Sequence, residues 1–99
     1  MARPERLTDT EIATALDGLD GWELVDGKLH RALRFPDFSS AFGFMAAAAT
    51  VAEKMDHHPE WSNVYSKVVV DLTTHDAEGV TELDVRLAGR MSELAVNAT

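Results

Sequence analysis

The stretch Trp22-Glu-Leu-Val-Asp-Gly-Lys-Leu-His-Arg-Ala-Leu-Arg-Phe35 decides the fold class. Residues 22–25 read as a strand. Asp26-Gly27 then reads as a two-residue turn, because a type I′ turn needs positive φ at both central positions, which aspartate and glycine adopt readily. Residues 28–35 form the returning strand, with Leu29, Leu33 and Phe35 on one face and Arg31 interrupting that face. Pro36 ends the pairing, since it has no N–H to give to a ladder. A tight hairpin this early in the chain points to an antiparallel sheet.

Upstream, Thr8-Asp-Thr-Glu11 has capping-box spacing. The threonine hydroxyl can accept from a free backbone N–H while the glutamate reaches back. A short helix follows, turning Ile12, Leu16 and Ala13 inward and ending near Gly18 and Gly21. Residues 1–7 read as a loose arm. Downstream of the hairpin, Asp37 is the N-cap of a long helix over residues 38–54. Phe38, Phe42, Met45, Ala49 and Ala52 recur at helical spacing, and the other side is largely alanine. A helix that is apolar all round needs cover on both sides. The sheet supplies one, and a subunit contact would supply the other.

Residues 60–73 have strand composition, with Val68, Val70 and Leu72 alternating against Lys67, Val69 and Asp71. The stretch can hold two strands with a turn near residues 63–66. Residues 74–79 form a loop. Thr81-Glu-Leu-Asp84 is a second capping box, with aspartate in the glutamate position. It opens a last helix over residues 82–96 that turns Leu83, Leu87, Met91 and Leu94 inward. Hairpins flanked by helices argue an α+β two-layer sandwich.

The chain's 99 residues suffice for a single domain with one core. No apolar run approaches the roughly 18 residues of a membrane span, and the first residues lack the apolar core of a signal peptide. With 0 cysteines, disulfides, thiolate metal sites and cysteine nucleophiles are excluded, and a cytoplasmic location is expected. The net charge of −8, with no Lys/Arg cluster, argues against nucleic acid and against anionic membranes as partners.

Three of the four histidines, His57, His58 and His75, fall in one 19-residue span. His30, in mid-strand with no motif around it, reads as an ordinary strand residue. His57 and His58 read in two ways. They are a polar cap on the long helix, where cations meet the negative end of the macrodipole. Alternatively they join His75 in an acid–base site, since imidazole can both give and take a proton near neutrality. Glu53 lies one helical turn before His57, Asp84 could orient an imidazole, and Trp61 offers a flat apolar wall. The bland readings remain open too: Asp84 as the third residue of its own capping box, Trp61 as core, His75 as a turn residue. A zinc site built from three histidines and a carboxylate is the rival chemistry. Adjacent histidines diverge on an extended loop, however, and neither HExxH nor His-x-His is present, so no metal is expected.

Glu53-Lys-Met-Asp-His-His-Pro-Glu-Trp-Ser-Asn-Val-Tyr65, then Thr74-His75, then Asp84 closely resemble the pterin-4a-carbinolamine dehydratases. Trp22-Glu-Leu and Arg34-Phe-Pro-Asp-Phe38 extend the likeness, which covers residues 8–96. The resemblance implies a four-stranded antiparallel sheet with three helices on one face. It implies a hydro-lyase that needs no cofactor and converts 4a-hydroxytetrahydrobiopterin to quinonoid dihydrobiopterin in tetrahydrobiopterin recycling. It also implies a homodimer or homotetramer and a functional link to an aromatic amino-acid hydroxylase. Carried over, His57 and His75 are the acid–base pair, His58 binds and polarises, Asp84 supports His75, and Glu53 and Trp61 line the pocket. Some family members bind a transcription factor's dimerisation helices. The long alanine-rich helix is therefore also the candidate surface of a protein-binding module without essential catalysis.

Overall fold

A computed structural model describes residues 4–99. The first hairpin forms as its turn chemistry dictates. β1 (Glu23–Val25) and β2 (Lys28–Arg34) are joined by Asp26 at φ 51° and Gly27 at φ 78°. The second hairpin joins β3 (Glu60–Val64) to β4 (Lys67–Leu72) through Tyr65, at φ 51°. A left-handed tyrosine is unfavourable. Here Asn63 holds the turn closed, its Nδ2 donating to the carbonyls of Tyr65 (3.0 Å) and Lys67 (2.9 Å). The strand order is β1-β2-β4-β3, and every pairing is antiparallel.

Three helices complete an α+β fold. α1 (Asp9–Leu16) opens on the capping box, with Glu11 N donating to Thr8 Oγ1 (3.1 Å) and Thr8 N donating to Glu11 Oε1 (2.8 Å). α2 (Phe38–Met55) opens on Asp37, which accepts from Ser40 N at 2.8 Å. α3 (Glu82–Leu94) opens on the box at Thr81. α2 and α3 lie against the sheet face formed by Leu29, Leu33, Val68, Val70 and Leu72, and α1 adds Ile12 to the same core. Residues 6 and 7, expected in a loose arm, are anchored: Leu7 N donates to Val80 O at 2.8 Å, and Arg6 crosses the face of Gly79 where a β-carbon would stand. The expectation for residues 1–3 lies outside the described residues. No helix among the described residues is long and apolar enough to cross a membrane.

Both long helices sit at a different rotation from the one their spacing predicts. α2 buries Ala41, Phe44, Ala48 and Ala52, while Phe38 (48% exposed) and Phe42 (57% exposed) face outward. Alanine on either side made the two stripes nearly equal in hydrophobicity, and the closely packed sheet selected the one with smaller residues. α3 buries Asp84, Leu87, Ala88 and Met91, leaving Leu83 and Leu94 only partly covered. Its rotation follows from putting a carboxylate inward. Arg31, on the core face of β2, is accommodated by α3: its Nη1 donates to Ser92 Oγ (3.2 Å), which also accepts from Trp22 Nε1 (2.9 Å).

The opposite face of the sheet carries charge. His30 Nδ1 meets Asp71 Oδ1 at 2.9 Å, and Lys28 Nζ meets Glu60 Oε1 at 2.5 Å across the strands. The hydrogen bond to Glu60 raises the Lys28 ammonium above its ordinary value, and the same bond holds the Glu60 carboxyl below its own. Glu60 therefore contributes stability above pH 4.5, lost as pH falls through its depressed value. Lys28 contributes below pH 10.5, lost as pH rises through its raised value.

Three outcomes follow for stability. Phe44→Ala is expected to cost about 3–5 kcal/mol in urea denaturation, independent of protein concentration. Phe42→Ala should stay within about 0.5 kcal/mol at low concentration, with any larger loss appearing only where copies associate. Lys28→Met should lower Tm most between pH 4.5 and 10.5, with a deficit that narrows outside that window and at 1 M salt, since both groups are about two-fifths exposed.

Candidate active site

One end of the molecule gathers the C-terminus of α2, the start of β3, the end of β4 and the N-terminus of α3. Helix termination places the first histidine. Asp56 takes a left-handed conformation at φ 53°, and His57 N reaches back to Ala52 O at 3.0 Å, the reversed-bond pattern of a Schellman cap. The cap turns the His57 side chain inward, where only 10% of it remains exposed. Pro59 then holds His58 extended and outward.

His57 lands on Asp84. Its Nε2 lies 2.5 Å from Asp84 Oδ1, and the aspartate is 0% exposed. The other oxygen, Oδ2, accepts from Thr81 N (2.9 Å) and from Thr74 Oγ1 (2.8 Å). Aspartate is thus both the reciprocal member of the α3 capping box and the partner of a histidine. The imidazole sits at the C-terminal end of α2 and the carboxylate at the positive end of α3, so the carboxylate meets a helix terminus of opposite sign. No buried side-chain nitrogen or oxygen among the described residues lacks a partner.

His75 opens a 3₁₀ turn, His75–Ala77, clamped at its base by Thr74, whose N donates to Gly79 O at 2.9 Å and whose O accepts from Ala77 N at 3.1 Å. The carboxylate nearest His75 is Glu60, with Oε2 at 3.1 Å from Nε2, and not Asp84. The sequence-based pairing of Asp84 with His75 is corrected here. Asp84 stands beneath His57 because the Thr81 cap and Thr74 draw it toward the buried side of β4, whereas His75 leaves the sheet on the solvent side.

A cleft of about 390 Å³ runs between these groups, lined by His57, His58, Pro59, Glu60, Thr74 and His75 among others. The three proposed catalytic histidines therefore share one cavity. Glu53 does not line it, but reaches it through His58, whose Nε2 lies 2.7 Å from Glu53 Oε1. Trp61 does not line it either: opposite Val70 on the helix-facing side of β3, it packs against the core as a half-buried residue. Thr74, Thr81, Glu60 and Lys28 were not singled out as site residues from the sequence. The capping box at Thr81 was the available signal for two of them, since its aspartate has a second oxygen to satisfy. Nothing local announced the cross-strand pair of Glu60 with Lys28. Among the described residues, no group of three or more histidines and carboxylates is arranged to hold a metal ion. A larger groove of about 610 Å³, between Val51, Lys54 and Met55 of α2 and Arg86, Gly89 and Arg90 of α3, contains no histidine.

Comparison with known proteins bears on the family. The family model described as pterin 4 alpha carbinolamine dehydratase matches residues 5–94. Proteins of Brucella ovis and of Brucella melitensis biotype 1, each named "Putative pterin-4-alpha-carbinolamine dehydratase", are 56% identical over 97 residues, covering 96% of this chain and 99% of theirs. A crystal structure described as a transcriptional coactivator/pterin dehydratase from Brucella melitensis superposes with a TM-score of 0.89 at 55% identity, covering 92% of this chain and 99% of that one. With the family model, the sequence match and the fold in agreement, this chain belongs to the pterin 4 alpha carbinolamine dehydratase family, and so to the hydro-lyases.

Proposed function

We propose that the cleft dehydrates 4a-hydroxytetrahydrobiopterin to quinonoid dihydrobiopterin, using His57 and His75 as the acid–base pair and His58 as a binding and polarising group. The observation that carries this reading is the shared cavity, with one imidazole braced from below by buried Asp84 and another standing beside Glu60. Hydroxide is a poor leaving group. One imidazolium must give a proton to the 4a oxygen as the C4a–O bond breaks, and a second group must take the proton from N5 as the N5–C4a double bond forms. The net change is loss of one water, with no change of oxidation state. Two histidines near neutrality suit both transfers, and positioned acid–base groups supply about 10²–10⁴-fold each. Glu53 orients His58 at the cleft's rim, Asp84 holds His57, and Trp61 backs β3 rather than stacking on the ring. Recycling of a tetrahydropterin spent by an aromatic amino-acid hydroxylase, in the cytoplasm, is the setting that fits.

The outer stripe of α2 favours an accompanying role in assembly. Phe38 and Phe42 lie with ring centroids 5.8 Å apart on the exposed side, next to half-buried Met45. A stripe of exposed aromatics on a long helix is a contact surface, and a second copy of the chain in a homodimer or homotetramer is its simplest occupant. The coactivator-like alternative uses the same stripe for another protein's helix.

Stopped-flow dehydration at a pH where the spontaneous reaction is slow tests the first reading. His57→Ala and His75→Ala should each lower kcat by about 10²-fold or more while the far-UV spectrum reports a folded chain, with Tm lowered in His57→Ala alone because buried Asp84 loses a partner. Full activity in both variants would exclude the assignment. Light scattering tests the second: the wild type should run as a dimer or tetramer and Phe42→Asp as a monomer, whereas a wild-type monomer would leave the stripe to a different protein.

A further inference from the structure

We infer that Thr74 is a positioning residue that fixes the proton of His57 on Nε2 and so makes Nδ1 the nitrogen that exchanges protons with substrate. The inference rests on the dehydratase reading for its effect on rate, but its structural half does not.

The reasoning is a count of protons along one buried chain. The Leu83 backbone N–H donates to Thr81 Oγ1 at 3.2 Å. Thr81 Oγ1 lies 2.8 Å from Thr74 Oγ1, and Thr74 Oγ1 lies 2.8 Å from Asp84 Oδ2. Each hydroxyl has a single proton. A carboxylate only accepts, so the Thr74 proton points to Asp84. The one proton left between the two threonines must then come from Thr81. Every bond runs the same way, from a helix N–H through two hydroxyls into Oδ2, where Thr81 N also donates at 2.9 Å. The direction is set by the carboxylate end, which only accepts, and the Leu83 amide takes one lone pair of Thr81 Oγ1 while leaving its proton free for Thr74.

With Oδ2 taken by two donors, Oδ1 faces His57 Nε2 at 2.5 Å. Two acceptors cannot share that contact, so Nε2 carries a hydrogen. The neutral ring then has its lone pair on Nδ1, which makes no hydrogen bond to a described residue. Thr81 is 0% and Thr74 8% exposed, so water does not compete for the chain. Thr74 also ties the two halves of the cleft together. Its side chain braces Asp84, and its backbone clamps the turn that opens with His75. The carboxylates lining the cleft are Asp56 from the cap after α2, Glu60 from β3 and Asp76 from the turn, while Glu53 of α2, Lys28 of β2 and Asp84 of α3 stand outside it and reach it through His58, Glu60 and His57. Of these Asp84 alone contacts His57 in the described structure.

The test combines nitrogen-15 NMR of the imidazoles in the ligand-free protein, at a pH where the ring is neutral, with steady-state kinetics. The wild type should show His57 as the Nε2–H tautomer. Thr74→Val keeps the shape and removes the hydroxyl. It should mix the tautomers of His57 and lower kcat about tenfold or more with KM within twofold, and Thr74→Ser should restore both. A wild-type Nδ1–H tautomer would overturn the inference even if Thr74→Val failed to fold. So would Thr74→Val with the wild-type tautomer and kcat. Loss of the proposed function would look different: His57→Ala would stay fully active while the tautomer result stood unchanged.

Discussion

A carboxylate withdrawn from water is tolerable only where each of its oxygens finds a donor, and Asp84 imposes that condition on the whole end of the molecule. It is 0% exposed and accepts from a helix N-cap amide, a threonine hydroxyl and an imidazole. Each donor comes from a different part of the chain. Thr81 closes the loop after β4, Thr74 ends the sheet, and His57 follows α2. The aspartate therefore specifies how three elements meet. Removing one donor would leave a buried polar group unpaired, which costs more than the bond itself contributes. The rotation of α3 obeys the same constraint, since Asp84 takes an inward position that the leucine spacing alone assigned to Leu83.

The sheet itself follows from simpler rules. Leu29 opposite Leu72 and Leu33 opposite Val68 form a continuous apolar surface under α2 and α3. The small residues Ala41, Ala48 and Ala52 let α2 approach that surface closely. The pleat then sends His30, Asp71, Lys28 and Glu60 to the other face, where they pair across strands. One set of cross-strand registers thus builds the core on one side and delivers Glu60 beside His75 on the other.

What was legible in the sequence was local chemistry. Asp26-Gly27 announced its turn, Thr8 and Thr81 announced their caps, and His57-His58-Pro59 announced a helix end. What was not legible depended on contacts far apart in the chain. The Tyr65 turn has no glycine, and it exists because Asn63 can staple it. The face of α2 could not be read because alanine lies on both sides. The partner of Asp84 could not be read because sequence spacing does not say which of two histidines a buried carboxylate will reach, and only the sheet's two faces separate them. Trp61 looked like a pocket wall because it follows His57-His58-Pro59-Glu60, yet strand alternation turns it away from Glu60 and into the core.

The left-handed Asp56 that closes α2 has a consequence for the length of that helix. His57 is the first residue after that cap, so its direction is tied to the number of residues in α2. One residue more or fewer would swing the imidazole by about 100° and move it by about 1.5 Å along the axis, off the fixed carboxylate of α3. Length change in this helix is therefore opposed twice, by the buried face of α2 and by the contact between His57 and Asp84.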